Sequence, residues 1–200
     1  GRRALVYLSL LVALALLLSG GWVMAEEPFG APRAERAESV SLQVTTTTVS
    51  CTPSPLTFAA GEQRSIDVMV NDVTNLFGFE VHMTFDPSVV QVHDGDAGRP
   101  GTNVAIGDFL TSIIVAANTA SNTAPIGTID VAVTMTSGSG KTGTGRLFTI
   151  LLDGIAPGNA NLKFTAVALA NKDALGIPNI PVSPSVSVLN ATNTPTSTRL

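Results

Sequence analysis

The chain has 200 residues, of which 44% are hydrophobic, 13% charged and 5% aromatic, with a formal net charge of −4. A charged fraction near half the usual quarter excludes a coiled coil, a disordered acidic tail and a basic nucleic-acid binder. The mean hydropathy of +0.35 is high, and one N-terminal block carries much of it.

That block sets Arg2-Arg3 before an apolar run over residues 4–18, followed by Ser19-Gly20-Gly21 and then Val23-Met24-Ala25. Positive charge, apolar stretch and small residues at a cleavage point read as a secretory signal over residues 1–25, cut after Ala25. A retained membrane anchor is the alternative, because residues 4–25 are long enough to span a bilayer. Residues 26–39, EEPFGAPRAERAE with a following Ser, mix charge, Pro and Ala without a period and read as a linker. Residues 40–189 are one domain, long enough to bury a real core. Residues 190–200, NATNTPTSTRL, read as a Thr/Ser/Pro linker toward a downstream region. Cys51 is the only cysteine, so no internal disulfide forms and the domain rests on its apolar core. A half-buried residue at a strand end is expected for Cys51, with a reactive thiol or an intermolecular link as the functional alternative.

Within the domain the hydrophobic period is two. Ile66, Val68 and Val70 alternate with polar residues, as do Phe79, Val81, Met83 and Phe85 with Glu80, His82 and Thr84, and Ile129, Val131, Val133 and Met135 with Asp130, Ala132 and Thr134. Such alternation predicts strands with one buried and one wet face. Together with runs at 40–49, 89–93, 113–118, 145–153, 161–170 and 185–189, nine strands are expected. Asn71-Asp72, Asp94-Gly95, Pro100-Gly101, Asp153-Gly154 and Pro157-Gly158 are read as turns. Two half-apolar sheets must cover each other, so the fold expected is an all-β sandwich.

The tract Ser137-Gly138-Ser139-Gly140-Lys141-Thr142-Gly143 contains Gly-x-Gly-x-x-Gly and Gly-Lys-Thr. A phosphate loop needs its glycines to open a helix. Here a strand follows, so a hairpin connection is expected. His82 and His93 with one cysteine make no zinc site, and no metal or other cofactor is expected. Asp94-Gly95-Asp96 lacks the further ligands of a calcium loop and reads as a turn. The domain's eleven carboxylates fall mostly at turns, and no nucleophile or acid–base pair stands out, so catalysis is not expected. The chain's only Trp and Tyr, Trp22 and Tyr7, lie in the signal, leaving the domain no aromatic platform for sugar stacking.

Residues 73–92, running Val-Thr-Asn-Leu-Phe-Gly-Phe-Glu-Val-His-Met-Thr-Phe-Asp-Pro-Ser-Val-Val-Gln-Val, resemble the signature stretch of cohesin domains, the receptor modules of cellulosome scaffoldins. Gly143-Thr144-Gly145-Arg146-Leu147 resembles the family's Gly-x-Gly-x-Leu strand, and Ala156-Pro157-Gly158 its following turn. The resemblance covers residues 40–189. It implies a nine-stranded antiparallel β-sandwich with jelly-roll topology and a non-catalytic role in extracellular polysaccharide degradation. The implied partner is a dockerin-bearing protein, with calcium on the dockerin and not on this domain. The family's acidic docking position matches Glu80, while its neighbouring polar position falls on Gly78.

From the inward and outward phases alone, Glu80, His82 and Thr84 face outward, and Thr128, Asp130 and Thr134 face outward on the strand expected alongside. These six residues are the candidate partner-binding face. Asp86-Pro87-Ser88 reads as a capped turn. The location expected is secreted or cell-surface. Direct polysaccharide binding by a carbohydrate-binding module of the same fold is the first alternative, and a structural or adhesive surface domain the second. Nucleic acid is not an expected partner, and a membrane is one only if residues 1–25 are retained.

Overall fold

The computed structural model describes residues 46–191. The stretches read as signal (1–25) and linker (26–39), the first six residues of the expected domain, and residues 192–200 of the C-terminal linker lie outside the described part.

All the regular structure among the described residues is β. In chain order the strands are β1 (Thr48–Thr52), β2 (Leu56–Ala59), β3 (Gln63–Leu76), β4 (Gly78–Phe85), β5 (Val90–His93), β6 (Ala105–Ile106), β7 (Ile113–Ser121), β8 (Gly127–Met135), β9 (Lys141–Gly154), β10 (Gly158–Asn159), β11 (Lys163–Ala170), β12 (Ile180–Val182) and β13 (Val186–Leu189). Among the described residues the count is therefore thirteen and not nine. Each of the nine expected runs contributes a strand, and β2, β6, β10 and β12 are additional. These four hold two to four residues each, too short for alternation to register, and they exist because a neighbour supplies a ladder.

One sheet has the order β12-β1-β3-β9-β5, with β6 also on β9; a second is β11-β4-β8-β7; a third is β10-β13-β2. Most pairs are antiparallel, as expected, but β1 runs parallel to β12 and β13 parallel to β2. The purely antiparallel expectation is corrected there. Parallel neighbours need a long crossover, and these partners lie more than a hundred residues apart in sequence.

The core lies between the four-stranded sheet and the sheet built on β3 and β9. Every second residue of β4 and β8 is buried, from Phe79 to Phe85 and from Ile129 to Met135, and meets Ile66, Val68, Val70, Phe148, Ile150 and Leu152. The Phe79 and Phe148 rings stack across the gap with centroids 6.3 Å apart and planes at 20°. Leu56, Phe58, Val186 and Val188 bring the small third sheet into the same core. Each such fully buried aliphatic or aromatic side chain contributes on the order of 1.5–3 kcal/mol of transfer free energy.

Several expected turns have other roles. Asn71-Asp72 lies inside the long β3, where Asp72 and Asn75 take φ values of 54° and 58° at irregularities in the β3–β9 register. Asp and Asn tolerate this left-handed region, and bulges of this kind bend a long strand. The glycine tract is not a hairpin: it carries the chain from β8 in one sheet to β9 in the other. In the Gly143-Thr144-Gly145 motif, Gly143 has φ +120°, while a Cβ at Gly145 would run into the Phe109 ring. One glycine answers to backbone conformation and the other to packing.

Asp86 is the expected capped turn. Its Oδ1 accepts from the Ser88 hydroxyl at 2.6 Å and the Ser88 amide at 2.9 Å, which hold the carboxyl pKa below its ordinary value, the hydroxyl first. Asp94 Oδ1 accepts from the amides of Asp96 (3.2 Å) and Asn103 (3.1 Å), so this acidic pair organises a loop.

Candidate functional site

Two central strands position the candidate face. Because β4 and β8 pair antiparallel in register, the residue opposite His82 is Asp130, and the residue opposite Thr84 is Thr128. Period-two alternation sends Phe79, Val81, Met83 and Phe85 into the core and leaves Glu80, His82 and Thr84 outside. The same holds for Ile129, Val131, Val133 and Met135 against Thr128, Asp130 and Thr134. All six residues therefore share the outer face of the four-stranded sheet, and the expected adjacency of their strands is what the register shows.

Across the sheet the outer positions form four rows. Ala166, His82, Asp130 and Thr119 make the central row, and Ala168, Glu80, Ala132 and Ala117 the one above it. Ala170, Gly78, Thr134 and Ile114 follow at one end, and Lys163, Thr84, Thr128 and Ser121 at the other. The fold thus brings Glu80, His82 and Asp130 into one cluster. Thr84 and Thr128 face each other one row away, and Thr134 stands two rows away across from Gly78.

Within the cluster His82 Nδ1 lies 2.5 Å from Asp130 Oδ1 and Nε2 lies 2.8 Å from Glu80 Oε1. A carboxylate oxygen only accepts, so both ring nitrogens must donate, and the arrangement is that of the imidazolium. The hydrogen bond to Asp130 first, and that to Glu80 second, hold His82 above its ordinary pKa, with partial burial working against them. The three side chains remain 37–55% exposed. The Thr134 hydroxyl donates to the Met135 carbonyl at 3.3 Å, whereas Thr84 Oγ1 is buried with no partner.

Beside Glu80 the sheet surface dips. A shallow depression of about 270 Å³ is lined by Gly78, Ala116, Ala132, Ala168 and Ala170, with Glu80 and Thr134 at its margin. Small side chains at successive outward positions make it. The sequence carried this signal as Ala166, Ala168 and Ala170 at alternate places in β11, but only the register shows that Gly78 and Ala132 continue it. The expected departure at Gly78 therefore has a structural consequence: a Cβ there would come within 3.1 Å of the Val133 carbonyl and 3.2 Å of Thr134 Oγ1.

Chemically the face offers a −1 cluster while His82 is charged, hydroxyls, and an open apolar floor. Among the described residues the cluster bonds to no serine hydroxyl or thiol, and Cys51 is buried in β1 of the other sheet. An exposed acidic cluster beside an apolar floor is suited to recognising another surface.

No protein-family model matches the chain, and no curated protein matches it. Solved structures do match. The second type II cohesin module of the adaptor ScaA scaffoldin of Acetivibrio cellulolyticus has a TM-score of 0.59 at 21% identity, over 77% of this chain and 97% of that one. A chain of a type I cohesin–dockerin complex from Clostridium thermocellum gives 0.56 at 16%, over 72% and 100%. The non-cellulosomal cohesin of the hyperthermophilic archaeon Archaeoglobus fulgidus gives 0.55 at 14%, over 72% and 92%. Likeness that persists over nearly the whole of each matched chain at such low identity is a likeness of architecture, and the described domain has the cohesin fold.

Proposed function

We propose that this protein is a non-catalytic, extracellular cohesin-like module that receives a dockerin-type partner on the outer face of its four-stranded sheet, within a polysaccharide-degrading or cell-surface assembly. The observation that carries this reading is the cluster of Glu80, His82 and Asp130 beside an alanine-floored depression. Such a face suits a partner presenting a basic side chain next to small apolar residues. Support comes from the cohesin fold, from the cohesin–dockerin complex among the matched structures, and from the secretory reading of residues 1–25. Thr128 and Thr134 supply hydroxyls around the cluster, whereas the Thr84 hydroxyl is buried beneath the face, and any calcium belongs to the partner.

Calorimetry of the purified protein against type I and type II dockerins tests the reading. One-to-one binding is expected with at least one class, and Glu80→Lys should weaken it at least about tenfold, or about 1.4 kcal/mol. An Asp72→Asn control, on β3 of the other sheet, should leave the affinity unchanged. Absence of binding across the panel, or full affinity in Glu80→Lys, ends the docking reading. Retarded migration in soluble glucans would favour the carbohydrate-binding alternative.

A further inference from the structure

His82 stands where a partner's basic group would have to stand. It spans two carboxylates on adjacent strands, with one ring nitrogen at 2.5 Å from Asp130 and the other at 2.8 Å from Glu80. A neutral imidazole has one N–H, so loss of the ring proton must break one of these contacts and leave a carboxylate oxygen without its donor. The cluster then changes from one net negative charge to two.

Among the described residues the elements around it supply no competing charge. On β11 the flanking outer residues are Ala166 and Ala168, and on β7 the residue opposite Asp130 is Thr119. The next charged side chain on this face is Lys163, in the row of Thr84. His82 is therefore the group that sets whether these carboxylates are available.

We propose that His82 is a specificity-determining residue of the docking face: as the imidazolium it closes over Glu80 and Asp130, and a partner presenting lysine or arginine engages them when His82 is neutral. This rests on the docking reading above and deepens it by naming the partner's contact group and the condition for its entry. Binding such a group and protonating His82 are mutually opposed, and by linkage each weakens the other by the same factor. Partners that contact the face through hydroxyl or apolar groups meet no such opposition.

Two measurements test this together. Two-bond nitrogen–proton correlation spectra of the free protein should show both His82 ring nitrogens protonated at a higher pH than in the Glu80→Gln, Asp130→Asn double variant. Calorimetry against a dockerin with lysine or arginine on its contact surface, between about pH 5.5 and about pH 8.5, should show affinity rising with pH, tenfold for each unit by which the partner's cation lowers the His82 pKa. His82→Gln should flatten that profile while still binding. If dockerins bind with an affinity that is level or falls as pH rises, or if His82→Gln keeps the dependence, this inference is overturned and the docking reading stands. If His82 titrates alike in the native protein and the double variant, the inference is overturned without any partner. If no dockerin binds at any pH, the docking reading falls and the partner's role falls with it.

Discussion

Cys51 shows what burial does to one side chain. It lies within β1, opposite Val68 on β3, and is 6% exposed. The half-buried strand-end position expected from sequence is in fact a core position, because β1 extends through Thr52. Removal from water penalises the thiolate, and the thiol is pushed up to about 12. At pH 8 only about one molecule in ten thousand would carry the reactive thiolate. The native protein should accordingly resist an aromatic disulfide reagent and react with one equivalent once unfolded in guanidinium. Prompt stoichiometric labelling of the native protein would contradict this burial and reopen Cys51 as a functional thiol.

The β7 strand marks where sequence legibility stops. For β4 and β8 the alternation alone gave strand, buried face and outward face, since core and solvent impose period two without reference to any partner. In β7 the register on β8 shifts between Val115 and Ala117, and Asn118 points inward, 6% exposed. Its amide completes a missing ladder: Oδ1 accepts from the Val104 amide at 2.9 Å and Nδ2 donates to the Val104 carbonyl at 2.9 Å. Asn122 does the same for Val92, at 2.8 and 3.0 Å. A polar residue at the end of an apolar run reads as a strand terminus, and nothing local reveals that its partner is a backbone in another loop. The candidate face divides in the same way. Its six residues follow from phase, while the His82 clamp and the alanine floor depend on cross-strand register. Asn118→Ala should destabilise the domain by about 1–3 kcal/mol, because it strands a buried N–H and C=O. Denaturant unfolding would show this as a lower midpoint at unchanged slope, and a change below about 0.5 kcal/mol would mean that the Val104 groups find other partners.

At the scale of the molecule the two sheets present unlike outer faces. On the sheet built around β3 and β9, polar side chains bond to one another: Asn71 Nδ2 donates to the hydroxyls of Thr48 and Ser50 at 3.1 and 3.0 Å, and the Thr149 hydroxyl donates to Asp67 Oδ1 at 2.5 Å. On the four-stranded sheet the acidic groups engage, among the described residues, only His82, with an apolar floor beside them. Residues 40–189 hold eleven carboxylates (Glu62, Asp67, Asp72, Glu80, Asp86, Asp94, Asp96, Asp108, Asp130, Asp153 and Asp173) and six basic residues (Arg64, Arg99, Lys141, Arg146, Lys163 and Lys172), a net of −5. A field of this sign accelerates encounter with a basic surface, whereas the lifetime of the complex is set by contacts already formed. Raising ionic strength from about 0.1 M to about 1 M shortens the screening length from about 10 Å to about 3 Å. For a dockerin with a basic contact surface, stopped-flow mixing should therefore show an association rate that falls about tenfold or more over this range, with a dissociation rate that changes much less. Glu80→Gln should reduce the slope of the association rate against salt, whereas Asp72→Asn, on β3 of the other sheet, should reduce it less. Equal slopes in the two variants would mean that the field is spread over the whole domain and that the four-stranded face has no privileged part in steering.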